Sequence, residues 1–143
     1  FTKLYGMAGI RLGYCLCSNS TLINALYSAG APWNVSSLAQ AAGIAALEDE
    51  HHVRVGRALV EQERPWLRNA LKDLGIGKIY GEANYLFFKS TAGLDDRLRE
   101  RGILIRNCDN YHGLDFGWYR IAIRKHDDNV KLIDGMREVL KND

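Results

Sequence analysis

The spacing of apolar residues changes character along this chain, and the changes divide it into segments. Ile10 to Cys17 is an almost unbroken apolar run with β-branched and aromatic content, which predicts a buried strand of the kind parallel sheets use. Behind the helix-start residues Ser18-Asn19-Ser20-Thr21, the positions Leu22, Ile23, Leu26 and Tyr27 predict a short helix. Ala29-Gly30-Ala31-Pro32 ends it. Leu38 to Leu47 is alanine-rich and strongly helical, and its small residues suit close packing against neighbours. From about His51 to Leu74, the residues Val55, Leu59, Val60, Leu67, Leu71 and Leu74 line one broad helical face. Pro65 inside that stretch predicts a kink or a division in two, and Gly75-Ile76-Gly77 a stop.

After Gly77 the apolar spacing shortens toward two. Lys78-Ile79-Tyr80 and Asn84 to Lys89 predict strands on either side of Gly81-Glu82. Leu94 to Arg101 predicts a short amphipathic helix, and Ile103 to Arg106 and Trp118 to Arg124 predict two more strands. Asp127-Asp128-Asn129 is expected to cap a last helix, in which Val130, Ile133, Met136, Val139 and Leu140 recur at helical spacing. The predicted class is α/β of the α+β kind: helices, then a small mixed β-sheet covered by helices. The first 32 residues fit that plan poorly, because one buried strand and one helix have nothing to pair with. They read as a remnant of a larger domain, and 33–143 as a compact C-terminal small domain.

Charge alters this picture little. Nineteen basic against 17 acidic residues leave a net charge of +2, so there is no electrostatic case for nucleic acid or a membrane surface. No apolar run approaches the roughly 18 residues of a membrane span. Cys15 and Cys17 lie two apart and Cys108 is distant; an odd count without a C-x-x-C argues against a disulfide framework and a zinc site. A reduced, cytoplasmic protein is the expectation. His51 and His52 are adjacent, point different ways on a helix, and so make no metal pair.

Two stretches are dense in reactive groups. In the first, Thr2 and Lys3 precede a loop punctuated by Gly6 and Gly9, and Arg11 follows. An amine and a guanidinium fork at short range suit a phosphorylated aldehyde, which needs one group for its carbonyl carbon and another for its phosphate. In the second, Arg106 and Arg120 flank a turn-rich loop shaped by Asn110, Tyr111 and Gly113. If the flanking strands lie together, the pair offers two forks to an anionic substrate. The plainer alternative is that Arg106 and Arg124 are solvent-facing strand ends paired with acids.

The order Thr-Lys-x-x-Gly-x-x-Gly-x-Arg-x-Gly-Tyr at Thr2 to Tyr14 resembles the cofactor-attachment segment of fold-type I pyridoxal phosphate enzymes. Tyr119-Arg120-Ile121-Ala122-Ile123-Arg124 is similar to the end of class I and II aminotransferases. The run Ile103 to Asp115, with Pro32-Trp33-Asn34-Val35 and Ala83-Asn84-Tyr85-Leu86 upstream, resembles the branch of threonine-phosphate decarboxylases and the closely related histidinol-phosphate aminotransferases. The resemblance spans nearly the whole chain. It implies pyridoxal 5'-phosphate as cofactor, Lys3 as the attachment and catalytic lysine, and Thr2 and Arg11 at the cofactor phosphate. It implies Arg106 and Arg120 as the substrate-binding pair, gives Arg124 no role, and makes Asn84 a lesser candidate. It further implies a homodimeric enzyme acting on a small anionic amino acid, with threonine-phosphate decarboxylation in cobalamin biosynthesis as the expected reaction. Histidinol-phosphate-type amino transfer and a non-catalytic interaction domain are the alternatives. In the family roughly 200 residues precede the lysine motif, so 1–32 is read as belonging to the large cofactor-binding domain. The 143-residue chain alone is expected to be inactive and to hold the cofactor poorly.

Overall fold

The computed structural model describes residues 1–141. They form two compact units, Phe1–Gly56 and a second beginning at Arg57.

In the first unit the chain turns tightly at once, with the Tyr5 N–H donating to the Phe1 carbonyl at 3.3 Å and Gly6 N–H to that of Lys3 at 3.3 Å. A single 3-10 turn, Ala8–Ile10, follows. Helix α1 (Ser20–Ala29) is capped by Asn19, whose Oδ1 accepts from the Leu22 N–H at 3.1 Å. Helix α2 (Ser37–Glu48) is capped in the same way by the Ser36 hydroxyl, 3.2 Å from the Ala39 N–H. Such caps satisfy backbone donors that the first helical turn leaves without partners. The small residues of α2 do allow close packing: a Cβ at Gly43 would lie 2.5 Å from Leu12 Cδ2.

The strand expected over Ile10–Cys17 does not form. Residues 12–17 have no regular structure, and Tyr14 and Leu16 are 75% and 86% exposed. A strand is held by its neighbours, and among the described residues of this unit no other strand offers a ladder.

Helix α3 (Glu50–Asp73) begins in the first unit and ends in the second. Pro65 lies inside it without dividing it. Its buried residues Leu67 and Leu71 lie in the second unit, whereas Val55, on the same expected stripe, is exposed. The sheet consists of β1 (Ile79–Tyr80), β2 (Tyr85–Lys89), β3 (Arg106–Asn107) and β4 (Trp118–Ala122), in the order β1-β2-β4-β3. Every pairing is antiparallel, so the mixed sheet expected from the sequence is corrected in that respect. The reason is topological. Strands that run the same way are never neighbours: β4 separates β2 from β3, and β2 separates β1 from β4.

Alternation along β2 and β4 sends Leu86, Phe88, Tyr119 and Ile121 inward. There they meet Leu67 and Leu71 of α3, Leu94 and Leu98 of α4 (Leu94–Arg99), and Ile133, Met136 and Val139 of α5 (His126–Leu140). Each such burial stabilises the fold by about 1.5–3 kcal/mol. Strand β3 is shorter than the expected Ile103–Arg106. Leu104 is exposed, while Ile103 packs over Gly135, where a Cβ would lie 2.4 Å from its Cδ1.

The expected cap of α5 is also corrected. Lys125 holds the N-cap position without a side-chain bond. Asn129, buried in the first turn, works inward instead: it accepts from the Arg124 N–H at 3.1 Å and donates to the Arg124 carbonyl at 2.8 Å. It also donates to Glu63 Oε2 at 2.9 Å, and His126 Nδ1 lies 3.2 Å from the same oxygen. The buried carboxylate of α3 thereby joins the end of β4 to the start of α5, with the polar partners a buried acid requires.

Candidate functional site

The residues of β1–β4 that do not face the core make a second surface. On it stand Tyr80, Tyr85, Phe87, Lys89, Trp118, Arg120 and Arg106. Phe87 and Trp118 stack at 4.6 Å with planes 9° apart, and Tyr80 lies 6.1 Å from Trp118. The two arginines singled out from the sequence are brought together here: Arg106 is the cross-strand partner of Arg120. Arg120 is half-buried with its guanidinium 5.0 Å from the Tyr85 ring centre. Arg106 is exposed, lies 5.9 Å from the Tyr111 ring centre, and donates to Asn110 Oδ1 at 3.1 Å. Among the described residues neither has a carboxylate partner. Arg124 differs. It lies beyond the end of β4 and is paired with Asp128 at 2.9 Å, as the plainer alternative expected for it but not as that alternative expected for Arg106. The Asn84 carbonyl accepts from the Ile123 N–H at 3.0 Å, a backbone bond that continues the β2–β4 ladder.

The loop between β3 and β4 is held at several points. Asn107 Oδ1 accepts from the Asp109 N–H at 2.8 Å, and Asp109 Oδ1 from the Gly117 N–H at 3.0 Å. Gly117 has φ +87°, and a Cβ there would lie 2.4 Å from the Ser90 carbonyl, so only glycine fits. Asp115 bonds Lys89 and accepts from Trp118 Nε1 at 2.7 Å; the Lys89 bond first, then the indole, holds its carboxyl below the usual carboxylate range. Cys108, buried behind the arginine pair, has its thiol pushed up by burial, although the fields of Arg120 and Arg106 oppose this. From the sequence, Tyr111 was named only as shaping the loop, and Tyr85 and Cys108 only as members of family runs or of the cysteine count; none was given a place beside the arginines. For Tyr85 that place was within reach of the sequence, because it shares a face with Phe87 and Lys89 at period two.

The lysine cluster belongs to the first unit. Lys3 is exposed, Thr2 half-buried, and Arg11 exposed at φ +57° with Nη1 donating to the Ala8 carbonyl at 3.0 Å. Lys3 and Arg11 have no carboxylate partner among the described residues. An amine, a hydroxyl and a guanidinium without acid partners, all within the first 11 residues, match the functional groups of a phosphorylated aldehyde. Among the described residues no group of three potential metal ligands occurs, and no helix is long and apolar enough to cross a membrane.

The family model for aminotransferase class I and II matches residues 1–135. The chain belongs to that family. It is 34% identical to histidinol-phosphate aminotransferase 1 of Psychrobacter arcticus, over 100% of this chain and 39% of the relative. It is 36% identical to the threonine-phosphate decarboxylase of Salmonella typhimurium, over 97% of this chain and 39% of the relative. Its fold matches the crystal structure of the histidinol-phosphate aminotransferase from Clostridium acetobutylicum with a TM-score of 0.92 at 29% identity, over 99% of this chain and 44% of that one. The chain thus spans about two fifths of the length of the curated relatives it matches.

Proposed function

We propose that these residues form the C-terminal part of a pyridoxal phosphate-dependent enzyme whose substrate is a small amino compound carrying a phosphate and a second polar or anionic group. The observation that carries this reading is the cross-strand placement of Arg106 and Arg120, two guanidiniums without acid partners among the described residues. Adjacent forks without acid partners suit anion binding better than fold stability. Within the same reading, Thr2, Lys3 and Arg11 hold pyridoxal 5'-phosphate, residues 1–32 belong to its larger binding domain, and 33–143 form the small domain. The complete enzyme is a cytoplasmic homodimer.

Pyridoxal 5'-phosphate, when bound, supplies the electron sink that lets a bond at the substrate Cα break. The chain's own residues do the rest. Arg106 and Arg120 bind and orient the substrate by its anions, and that orientation selects the bond to be broken. Lys3 would be the amine that carries a proton to or from the substrate Cα. Decarboxylation of threonine phosphate is the reading favoured by the run Arg106-Asn107-Cys108-Asp109-Asn110-Tyr111. Amino transfer from histidinol phosphate is the second reading, favoured by the fold match to the Clostridium acetobutylicum aminotransferase at a TM-score of 0.92.

The whole encoded protein, loaded with cofactor, separates the two. Carbon dioxide release from L-threonine O-3-phosphate without an added keto acid supports decarboxylation. Turnover of histidinol phosphate that requires 2-oxoglutarate replaces it with the second reading. Absence of both activities, and of any borohydride-fixed adduct on Lys3, would leave the non-catalytic alternative.

A further inference from the structure

Each arginine of the pair rests on a tyrosine, and the register explains why these tyrosines serve. Tyr85 opposes Ala122, so it stands diagonal to Arg120 on the same face of the sheet, within reach of a long side chain. Phe87 is directly opposite Arg120, but its ring is committed to Trp118. Tyr85 is therefore the ring left for Arg120. Arg106 is served from the other side, by Tyr111 in the β3–β4 loop. That tyrosine is fixed by its own N–H, which donates to the Cys108 carbonyl at 2.9 Å.

A ring face holds a guanidinium differently from a carboxylate. A carboxylate takes up the in-plane N–H donors, and an incoming anion has to displace it. An aromatic face attracts the cation through its quadrupole and leaves the in-plane donors free. Two cations set opposite each other across a ladder repel, and without support each would swing into water. Ordering them again would then weaken every anion they bind.

We propose, on the reading that Arg106 and Arg120 hold the substrate's anions, that Tyr85 and Tyr111 are positioning residues of this site. Their ring faces keep the two guanidiniums ordered before the anion arrives, without an acid taking up their donors; one donor of Arg106, Nη2, bonds the neutral Asn110 Oδ1. The hydroxyls have no part in this.

The test uses the whole cofactor-loaded protein and two probes, inorganic phosphate and acetate, so that either anion type has a surrogate. Dissociation constants are measured by titration calorimetry for wild type, Arg106→Lys, Arg120→Lys, and the Phe and Leu variants at Tyr85 and Tyr111. For the probe whose binding the matching lysine variant weakens, the Leu variant should bind about three- to tenfold more weakly, the size of a cation–π contact at a partly exposed site. The Phe variant should stay within about twofold of wild type, since it keeps the ring face. Leu variants that bind both probes as wild type does, while the lysine variants bind weakly, overturn this proposal and leave the arginine reading intact. Phe variants as weak as Leu would overturn it too, by assigning the effect to the hydroxyl. Lysine variants that bind both probes normally would remove the arginine reading, and this proposal with it.

Discussion

Arg106 and Arg120 stand opposite each other across the β3–β4 ladder, where opposite charges ordinarily pair, and among the described residues neither has an acid to answer it. A like-charge pair in that position works against folding. A few residues on, Arg124 shows the ordinary arrangement, with Asp128 at 2.9 Å. On the proposed reading, that contrast between arginines so close in sequence separates a substrate site from a solvated surface.

The contrast predicts unequal effects of one conservative change. Arg106→Lys and Arg120→Lys should each lower kcat/KM of the complete enzyme about ten- to a hundredfold, from about 1.5–3 kcal/mol for a charge-assisted contact in a dry site. Arg124→Lys should cost less than about twofold, because an exposed pair contributes little. Arg106→Gln should leave the urea midpoint unchanged or slightly raised, since it removes a like-charge opposition. An Arg124 effect equal to that of Arg120 would show that the wrong arginine has been assigned.

The second prediction concerns the polar tie in the core. Asn129→Ala removes both bonds to the Arg124 backbone and leaves Glu63 Oε2 with His126 alone. The expected cost is about 1–3 kcal/mol, that of buried groups left without partners. It should appear in urea unfolding as a lower midpoint with an unchanged slope. A variant as stable as wild type would mean that water replaces the amide there.

Much of this fold could be read from the sequence wherever a segment's own pattern decides its state. Tyr85–Lys89 and Trp118–Ala122 alternate in burial because one face is covered and the other is not, and both strands were legible from their β-branched and aromatic composition. Ile10–Cys17 was misread because apolar composition describes a segment, whereas a strand is a relation between segments. Arg124 looked equivalent to Arg120 at period two, but the strand ends at Ala122 and α5 supplies Asp128. The Glu63–Asn129 bond joins residues 66 apart, and no local pattern announces it. The lysine motif and the Arg106–Arg120 pair were legible by family resemblance. Of their ring partners, Tyr85 needed the strand register and Tyr111 the fold of the β3–β4 loop.

The cysteines should separate by reactivity. Cys15 and Cys17 are exposed, whereas Cys108 is buried and its thiol is pushed up, chiefly by burial. Alkylation depends on the thiolate. Iodoacetamide near neutral pH should therefore add two groups to this chain quickly and a third only after denaturation, read by intact mass. Fast modification of Cys108, mapped by peptide mass, would contradict its burial.

The last prediction follows from Asp115, which ties Lys89 to the indole of Trp118 on the outer face. Its carboxyl is held below its ordinary value of 3.8, first by the hydrogen bond from Lys89 and then by that from Trp118. Because the shift is downward, the tie contributes in full above the pKa of the unfolded chain. It is lost as pH falls through the lower, folded value. The indole N–H resonance of Trp118 should therefore be flat from neutral pH down to the ordinary carboxylate range and move only below it. Asp115→Asn should abolish the acid step, because an amide has no proton to gain there. It should also leave Lys89 without its carboxylate, so the lysine would keep only its position 5.8 Å from the Trp118 ring centre. A Trp118 transition centred at or above 3.8, or one that survives Asp115→Asn, would show that another acid governs this corner of the sheet.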